Sequence, residues 1–202
     1  VVGLLLATVV SAALAGRYQV HNQRLWTSAK RLEGAAEGIS TALDELAQVP
    51  LSREFRTALR SEVLARYQRI RRQRKQFPKI ATLIQHAEQV LQTEGERSSG
   101  SLGPVDSLAA FRQIMVSLDY LIDVVENGAL LQPMPRDVRI IFRRELGERR
   151  AEVLTRYHMV QSKRFAETGD IASARGHLMA LLQVLREQIP QTEFVRALYA
   201  EA

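Results

Sequence analysis

The four histidines are the first residues to consider for chemistry, because imidazole is a common metal ligand and a general base near neutral pH. They are His21, His86, His158 and His177. None belongs to a His-Glu-x-x-His motif, and none has a carboxylate three or four residues away on an inward helix face, as a helical metal site requires. His86 and His177 occupy matched positions of an internal repeat. This match favours an inherited position on a helix surface over a paired ligand or proton-handling site.

Other catalytic arrangements are also missing from the sequence. The chain has no cysteine, which excludes thiolate metal sites and cysteine nucleophiles. It has no Gly-x-Ser-x-Gly elbow, no phosphate-binding glycine loop and no dinucleotide fingerprint. Glu62 and Glu152 each precede an arginine by four residues, which is the favourable order for an ion pair along a helix. The sequence therefore predicts a non-enzymatic protein without a metal or cofactor.

A run of cations without any acid is the strongest candidate site. Cations at a helix C-terminus are favourable, but this effect accounts for only two or three of them. The net charge of +6 and the pI of about 10.0 also favour an acidic partner. We call this run the basic cluster and predict that it binds an anionic partner through Arg66, Arg69, Arg71, Arg72, Arg74, Lys75 and Lys79.

Three kinds of anionic partner fit the basic cluster. Anionic lipid and an acidic protein surface are favoured, since a polybasic surface gains roughly 1 kcal/mol per residue near anionic lipid. Nucleic acid is the weaker alternative, because only Tyr67 and Phe77 stand within the cluster as aromatics that bases could stack on.

An internal repeat organises the chain around these residues. Residues 55–67 are matched by residues 142–157, which contain three extra residues, and residues 39–46 are matched by residues 114–121. A repeated phrase of this kind is typical of a duplicated structural unit. The abundance of Ala, Leu, Arg, Glu and Gln favours helices. We therefore predict an all-α fold in which an N-terminal apolar helix precedes a tandem duplication of a three-helix antiparallel unit.

The helices are predicted to pack as a bundle. Apolar residues of 25–46 are spaced alternately four and three apart, and residues 111–125 carry a similar seam. A dimeric coiled coil is the alternative, but the second seam lies deep in the chain between other predicted helices. An antiparallel bundle uses the same spacing and is favoured. The oligomeric state stays open.

Breaks and caps define the predicted domains. Ser52, Asp170 and Thr192 are placed as helix N-caps, and Phe77-Pro78 breaks a helix. The stretch 96–105 has the Gly/Ser/Pro composition of a linker. The prediction is a first three-helix unit at 23–95, this linker, and a second three-helix unit with a short C-terminal helix at 106–202.

The N-terminal residues 1–22 are predicted to be a membrane anchor or a signal segment. Residues 1–15 contain no charge, and the chain opens on Val rather than Met, so we expect it to continue upstream. A few more apolar residues would complete a span of roughly 20. Two alternatives are a cleaved signal peptide, supported by Ala13-Leu14-Ala15 before Gly16, and a buried core helix.

Two resemblances bear on function. Residues 165–174, followed by Leu178, Leu181 and Pro190, resemble the helix-turn-helix of a tetratricopeptide repeat around the Gly169-Asp170 turn and the small Ala174. This likeness extends over about 157–190. The whole layout resembles uncharacterised bacterial membrane-anchored helical-repeat adaptor proteins.

These resemblances imply a non-enzymatic, membrane-anchored protein–protein interaction or scaffold module. The cations after the apolar stretch, Arg17, Arg24, Lys30 and Arg31, favour the bacterial inner membrane with the helical domain in the cytoplasm. The alternatives are a nucleic-acid-binding protein that uses the basic cluster, and an exported, periplasmic envelope-assembly or sensor domain.

Overall fold

The computed structural model describes residues 2–94, 102–127, 130–187 and 191–201, with side chains from Gly16 onward. Within these residues the chain forms helices and no strand, which confirms the all-α prediction. The helices are α1 (Val2–Glu45), α2 (Arg53–Gln73), α3 (Ile80–Glu94), α4 (Leu108–Glu126), α5 (Arg136–Glu167), α6 (Ile171–Glu187) and α7 (Glu193–Glu201).

In the described residues, five pairs of helices that are adjacent in sequence pack against each other, and two longer-range packings join them. α2 packs between α1 and α3, while α5 packs between α4 and α6. α1 and α4 contact each other, and α7 covers the pair of α5 and α6. The result is a helical bundle, as predicted.

The local start signals read from the sequence are confirmed. The Ser52 hydroxyl accepts a hydrogen bond from the Phe55 N–H at 3.3 Å and caps α2. Asp170 Oδ1 accepts from the Ser173 N–H at 3.0 Å, and Thr192 Oγ1 accepts from the Val195 N–H at 3.3 Å. Gly169 has φ +80°, which glycine adopts without steric cost in the turn before α6.

The predicted apolar seams are buried by the chain's own helices. On α1, Ala29, Ala36, Ile39 and Leu43 are buried, and the seam on α4 buries Leu118 and Val125. These side chains belong to one hydrophobic cluster with residues of α2, α3 and α5. An antiparallel bundle therefore explains the heptad spacing.

The main core includes residues from both predicted units. Phe55 on α2 and Phe142 on α5 meet edge to face, with ring centroids 5.0 Å apart. Leu102 and Val105, at the end of the predicted linker, are buried in the same core. This part of the linker therefore packs on the bundle, in contrast to the exposed linker that its composition indicates; residues 95–101 lie outside the described residues.

Two pairs of residues that the sequence aligns with each other make like contacts. Arg60 of α2 forms an ion pair with Asp44 of α1. Arg150 of α5 forms one with Asp119 of α4, at 2.9 Å between Nε and Oδ1. The sequence matches Asp44 with Asp119 and aligns Arg60 with Arg150 when Tyr67 is placed on Tyr157.

The N-terminal part of α1 leaves the bundle. The side chains of residues 16–24 are all exposed, and burial begins only near Leu25. The helix itself continues through residues 2–15. Among the helices of the described residues, none has a stretch that is long and apolar enough to cross a membrane.

Candidate anion-binding site

The basic cluster lies at the end of the bundle where α1 departs. Because α2 runs antiparallel to α1, its C-terminus reaches the part of α1 that leaves the core. Arg74 Nη1 donates to Asn22 Oδ1 at 2.7 Å and to the Asn22 carbonyl at 3.3 Å. The Arg74 guanidinium also lies 4.9 Å from the centroid of the Trp26 ring. These contacts fix the end of α2 on the side of α1.

An aromatic contact closes the same end. Phe77 is buried, and Phe77-Pro78 lies in the turn between Gln73, where α2 ends, and Ile80, where α3 begins. The Phe77 and Trp26 rings lie 5.3 Å apart, and Lys30 Nζ lies 5.4 Å from the Phe77 centroid. A cation at this distance is attracted by the ring quadrupole. Lys79, the residue directly before α3, has a left-handed backbone conformation with φ 57°.

Five members of the basic cluster are exposed as predicted, while the other two differ. The exposed members are Arg69, Arg71, Arg72, Lys75 and Lys79. Arg74 is half-buried by its contacts with α1.

Arg66 does not lie on the surface. Its side chain is buried, and Nε donates to Glu62 Oε1 at 2.8 Å. The Glu62 carboxylate also accepts from the Leu131 N–H at 2.7 Å and the Gln132 N–H at 3.2 Å. Arg66 therefore neutralises a carboxylate that holds the loop before α5, and it is not available to a partner at the surface.

No carboxylate in the described residues pairs with the five exposed cations. Two segments of the chain meet at this end: residues 16–32 of α1, and residues 66–87, which cover the end of α2, the following turn and the start of α3. Together they contain eleven Lys or Arg residues and no Asp or Glu. We call these two segments the basic end. Their packing brings cations that are distant in sequence to one end of the bundle, so its potential is strongly positive.

A groove runs between α2 and α3 beside this end. Its volume is about 680 Å³. α3 supplies an apolar wall from Ile80, Ala81 and Ile84, of which the first and last are buried. The polar lining consists of Gln68, Arg71, Arg72, Lys75 and Glu88.

The lining of the groove is suited to binding an anion. Guanidinium groups donate in a planar fork that matches phosphate or carboxylate oxygens, and lysine adds a mobile positive charge. Its lining contains a single carboxylate, Glu88, and no histidine or hydroxyl group. A bound anion would therefore be held by ionic hydrogen bonds.

A second group of side chains joins α5 and α6 far from the basic end. The Nδ1 atoms of His158 and His177 lie 3.1 Å apart, and the Phe165 ring stacks on His177 at 5.4 Å. Burial lowers the pKa of His158 below 6.5, and the neighbouring His177 lowers it further. His86, the predicted match of His177, is exposed, so the two matched histidines lie in different environments.

This histidine pair has no third ligand for a metal ion. In the part of the chain that the structure describes, no group of three or more His, Cys, Asp or Glu side chains could hold one.

Four residues that shape the candidate site were not predicted from the sequence. Asn22 and Trp26 position Arg74, while Gln68 and Glu88 line the groove. Trp26 is the chain's only tryptophan and stands four residues before Lys30, which was an available signal. The other three depend on how α1, α2 and α3 pack, so no local pattern indicates them.

Comparisons with known proteins give no relative of this chain. No protein-family model, no curated protein and no solved structure matches it.

Proposed function

We propose that this protein is a non-enzymatic helical interaction module, which the basic end of its bundle holds against an anionic membrane surface. The observation that carries the proposal is a coincidence of two features. α1 leaves the bundle, toward its apolar residues 2–15, at the same end where nine Lys or Arg residues gather that pair with no carboxylate of the described residues. A surface that follows an apolar segment in this way would lie next to lipid headgroups.

The distances along α1 are suitable for this role. Arg17 is two residues beyond the apolar stretch, and Arg24 is about 14 Å beyond it at 1.5 Å per residue. Exposed charges act over about 8 Å at physiological ionic strength, so Arg17 lies within that range of a surface at that level. Arg24 lies farther away and approaches the surface through the length of its side chain. The exposed Tyr18 and the partly exposed Trp26 lie between and beside them. Tyr and Trp are enriched at membrane interfaces, which supports the same placement.

The remaining faces of the bundle would be available to protein partners. The like ion pairs Asp44–Arg60 and Asp119–Arg150 support the proposed duplication of a three-helix unit. In repeat proteins such units present surfaces for partner binding. Positive charge next to an apolar segment favours the cytoplasmic side, so we propose the cytoplasmic face of the bacterial inner membrane as the location.

Nucleic acid is a less suitable partner for the basic cluster. Single-stranded nucleic acid binds to exposed aromatic side chains by base stacking. The two aromatics within the basic cluster, Tyr67 and Phe77, are both buried. Their rings are therefore unavailable to bases.

Vesicle flotation tests the proposal with the full 202-residue chain. We expect the wild type to float with phosphatidylglycerol/phosphatidylethanolamine vesicles, and this binding should weaken as salt rises because exposed charges are screened. Its affinity for neutral phosphatidylcholine vesicles should be much lower. The charge-reversal variant is Arg24→Glu, Arg69→Glu, Lys79→Glu, whose wild-type side chains are all exposed. It should lose about 100-fold in affinity for the anionic vesicles, at roughly 1 kcal/mol per cation.

A matched control reverses three exposed cations elsewhere. Lys163→Glu, Arg164→Glu, Arg175→Glu changes net charge by the same amount on α5 and α6. These residues lie away from the basic end, because α5 contacts the start of α2 near Glu145 and then runs on for about 30 Å. The control should keep wild-type flotation. Equal losses in both variants, or equal binding of the wild type to neutral vesicles, would refute the proposal.

A further inference from the structure

The groove between α2 and α3 has a more specific role than the basic end around it. We propose that it binds the headgroup of an anionic phospholipid, whose phosphate is held by Arg71, Arg72 and Lys75. This inference rests on the proposed membrane-surface function. It adds a site with a defined ligand chemistry to a surface that otherwise attracts any anionic lipid.

The groove points in the direction that a lipid headgroup would need. α2 runs toward the basic end and α3 runs away from it, so Lys75 and Ile80 lie at the end of the groove near the proposed membrane surface. Gln68 and Glu88 line the part farther from that surface. Ile80 and Glu88 are separated by about 12 Å along α3. A headgroup can therefore enter from the membrane side with its acyl chains still in the bilayer.

The lining matches the chemical parts of a headgroup. Three cations line the groove, namely Arg71 and Arg72 on α2 and Lys75 in the turn after it, and they pair with no carboxylate of the described residues. The two arginines offer the bidentate donor geometry that phosphate oxygens accept. Ile80 and Ala81 give an apolar contact for the glycerol backbone. Glu88, deeper in the groove, can accept hydrogen bonds from the hydroxyl groups of a terminal glycerol or from an ammonium group.

An acidic protein segment fits the groove less well. The volume of about 680 Å³ lies within the usual range for small-molecule sites. A helix with side chains is about 10 Å across and would need a longer, wider channel. An acidic segment that reached along the whole groove would also meet Glu88, which would repel it.

Titration with a soluble short-chain lipid tests the site directly. The probe is dihexanoyl-phosphatidylglycerol below its micelle concentration, followed by calorimetry on the full chain. We expect saturable binding at one site by the wild type. Arg71→Gln, Arg72→Gln should weaken it at least about tenfold, the typical effect of losing an ionic hydrogen bond. Arg69→Gln, Lys79→Gln removes two charges from the same end outside the groove and should keep wild-type affinity.

A second variant fills the groove without changing its charge. Ala81 is exposed on the first turn of α3, so Ala81→Trp should leave the helical circular dichroism intact and block headgroup binding. Flotation on anionic vesicles should persist in this variant, because the cations of the basic end remain. Retention of short-chain lipid binding by Ala81→Trp would overturn the proposal.

Two further probes separate the possible sources of the anion. Inorganic phosphate and glycerol 3-phosphate should compete only weakly with the short-chain lipid, since they lack the apolar contact. If free phosphate binds as tightly as the lipid, or if a glutamate-rich peptide displaces it at lower concentration, the lipid assignment is wrong.

The two proposals fail in different ways. If the wild type floats with anionic vesicles but shows no saturable binding of the short-chain lipid, the groove inference fails and the membrane-surface function stands. If the wild type does not float, the membrane-surface function fails, and the groove inference fails with it.

Discussion

The contact between α1 and α4 depends on Gly38. A Gly→Ala change inside a helix usually stabilises a protein, but Gly38→Ala should destabilise this one. Gly38 lies in the interior of α1, opposite Tyr120 of α4. A methyl group at Gly38 would lie 2.5 Å from the Tyr120 hydroxyl oxygen and 3.0 Å from Cζ of the ring. The first distance is shorter than a Cβ atom tolerates, so either the ring or the helix must move.

Two free-energy terms decide the sign of Gly38→Ala. Alanine stabilises a helix interior by about 1 kcal/mol relative to glycine. Overpacking a contact costs typically 1–3 kcal/mol, and the half-buried Tyr120 ring has limited room to swing away. We therefore expect Gly38→Ala to lower the free energy of unfolding by about 1 kcal/mol. In a Tyr120→Leu background the obstruction is gone, and Gly38→Ala should raise it by about 0.5–1 kcal/mol.

Urea unfolding of the wild type, the two single variants and the double variant measures this coupling. The control is Gly34→Ala on the same helix, where a Cβ would meet no atom within 4 Å. It should stabilise the protein by about 0.5–1 kcal/mol in either background. The reasoning is refuted if Gly38→Ala stabilises the wild type as much as Gly34→Ala does, or if the Tyr120→Leu background leaves its effect unchanged.

Three other perturbations have definite expected outcomes. Glu145→Ala removes a carboxylate that accepts hydrogen bonds from the Ser52 N–H and Oγ–H at the start of α2. It should lower the free energy of unfolding in urea by about 2 kcal/mol. A double-mutant cycle with Ser52→Ala should show coupling between the two residues, and additive effects would contradict this expectation. Burial lowers the pKa of His158, so the folded state binds this proton less readily than the unfolded state, and stability should fall as pH drops below about 6.5. His158→Gln should flatten that part of the pH dependence of the melting temperature, and an unchanged slope would show that the histidine is not responsible. Leu43→Ala and Leu118→Ala should each cost about 2–5 kcal/mol in the same assay, since both side chains are fully buried, and losses below 1 kcal/mol would place them outside the core.

The helices could be predicted from the sequence because their signals are local. Apolar spacing gives the buried face, and an N-cap acts within three residues of itself, as Ser52 and Asp170 do. Phe77-Pro78 marks the break between α2 and α3, because the residue before proline disfavours the helical conformation. The loop-to-helix boundaries therefore agree with the structure without any knowledge of tertiary packing.

The burial of charged residues on α2 could not be predicted, because it depends on elements that are distant in sequence. Arg66 was assigned to an exposed cluster, although Glu62 beside it binds backbone N–H groups at positions 131 and 132. Arg56 and Arg60 are likewise buried against Glu94 at the end of α3. Their spacing places them beside the apolar stripe of α2, but only the packing of α3 shows that a carboxylate reaches them.

Only part of the candidate site could be predicted, because the rest depends on how neighbouring helices pack. The sequence shows a dense set of cations around the end of α2, and five of them are exposed. Whether such charges surround a helix or face a groove depends on the neighbouring helix. The position of α3 separates Arg71 and Arg72, which line the groove, from Arg69, which does not.

α1 also sets the rotation of the bundle about the long axis of this helix. It is one uninterrupted helix from Val2 to Glu45, about 66 Å long at 1.5 Å per residue. A structure that holds residues 2–15 therefore also fixes the orientation of the bundle about the α1 axis, including the face where Gly38 contacts Tyr120, because a continuous helix resists torsion. Inserting one alanine into the exposed stretch 16–24 would rotate the bundle by about 100° relative to residues 2–15, so its basic residues would face a different direction. Inserting seven alanines would restore the original direction to within about 20°, so function should return with the helical period while the distance grows.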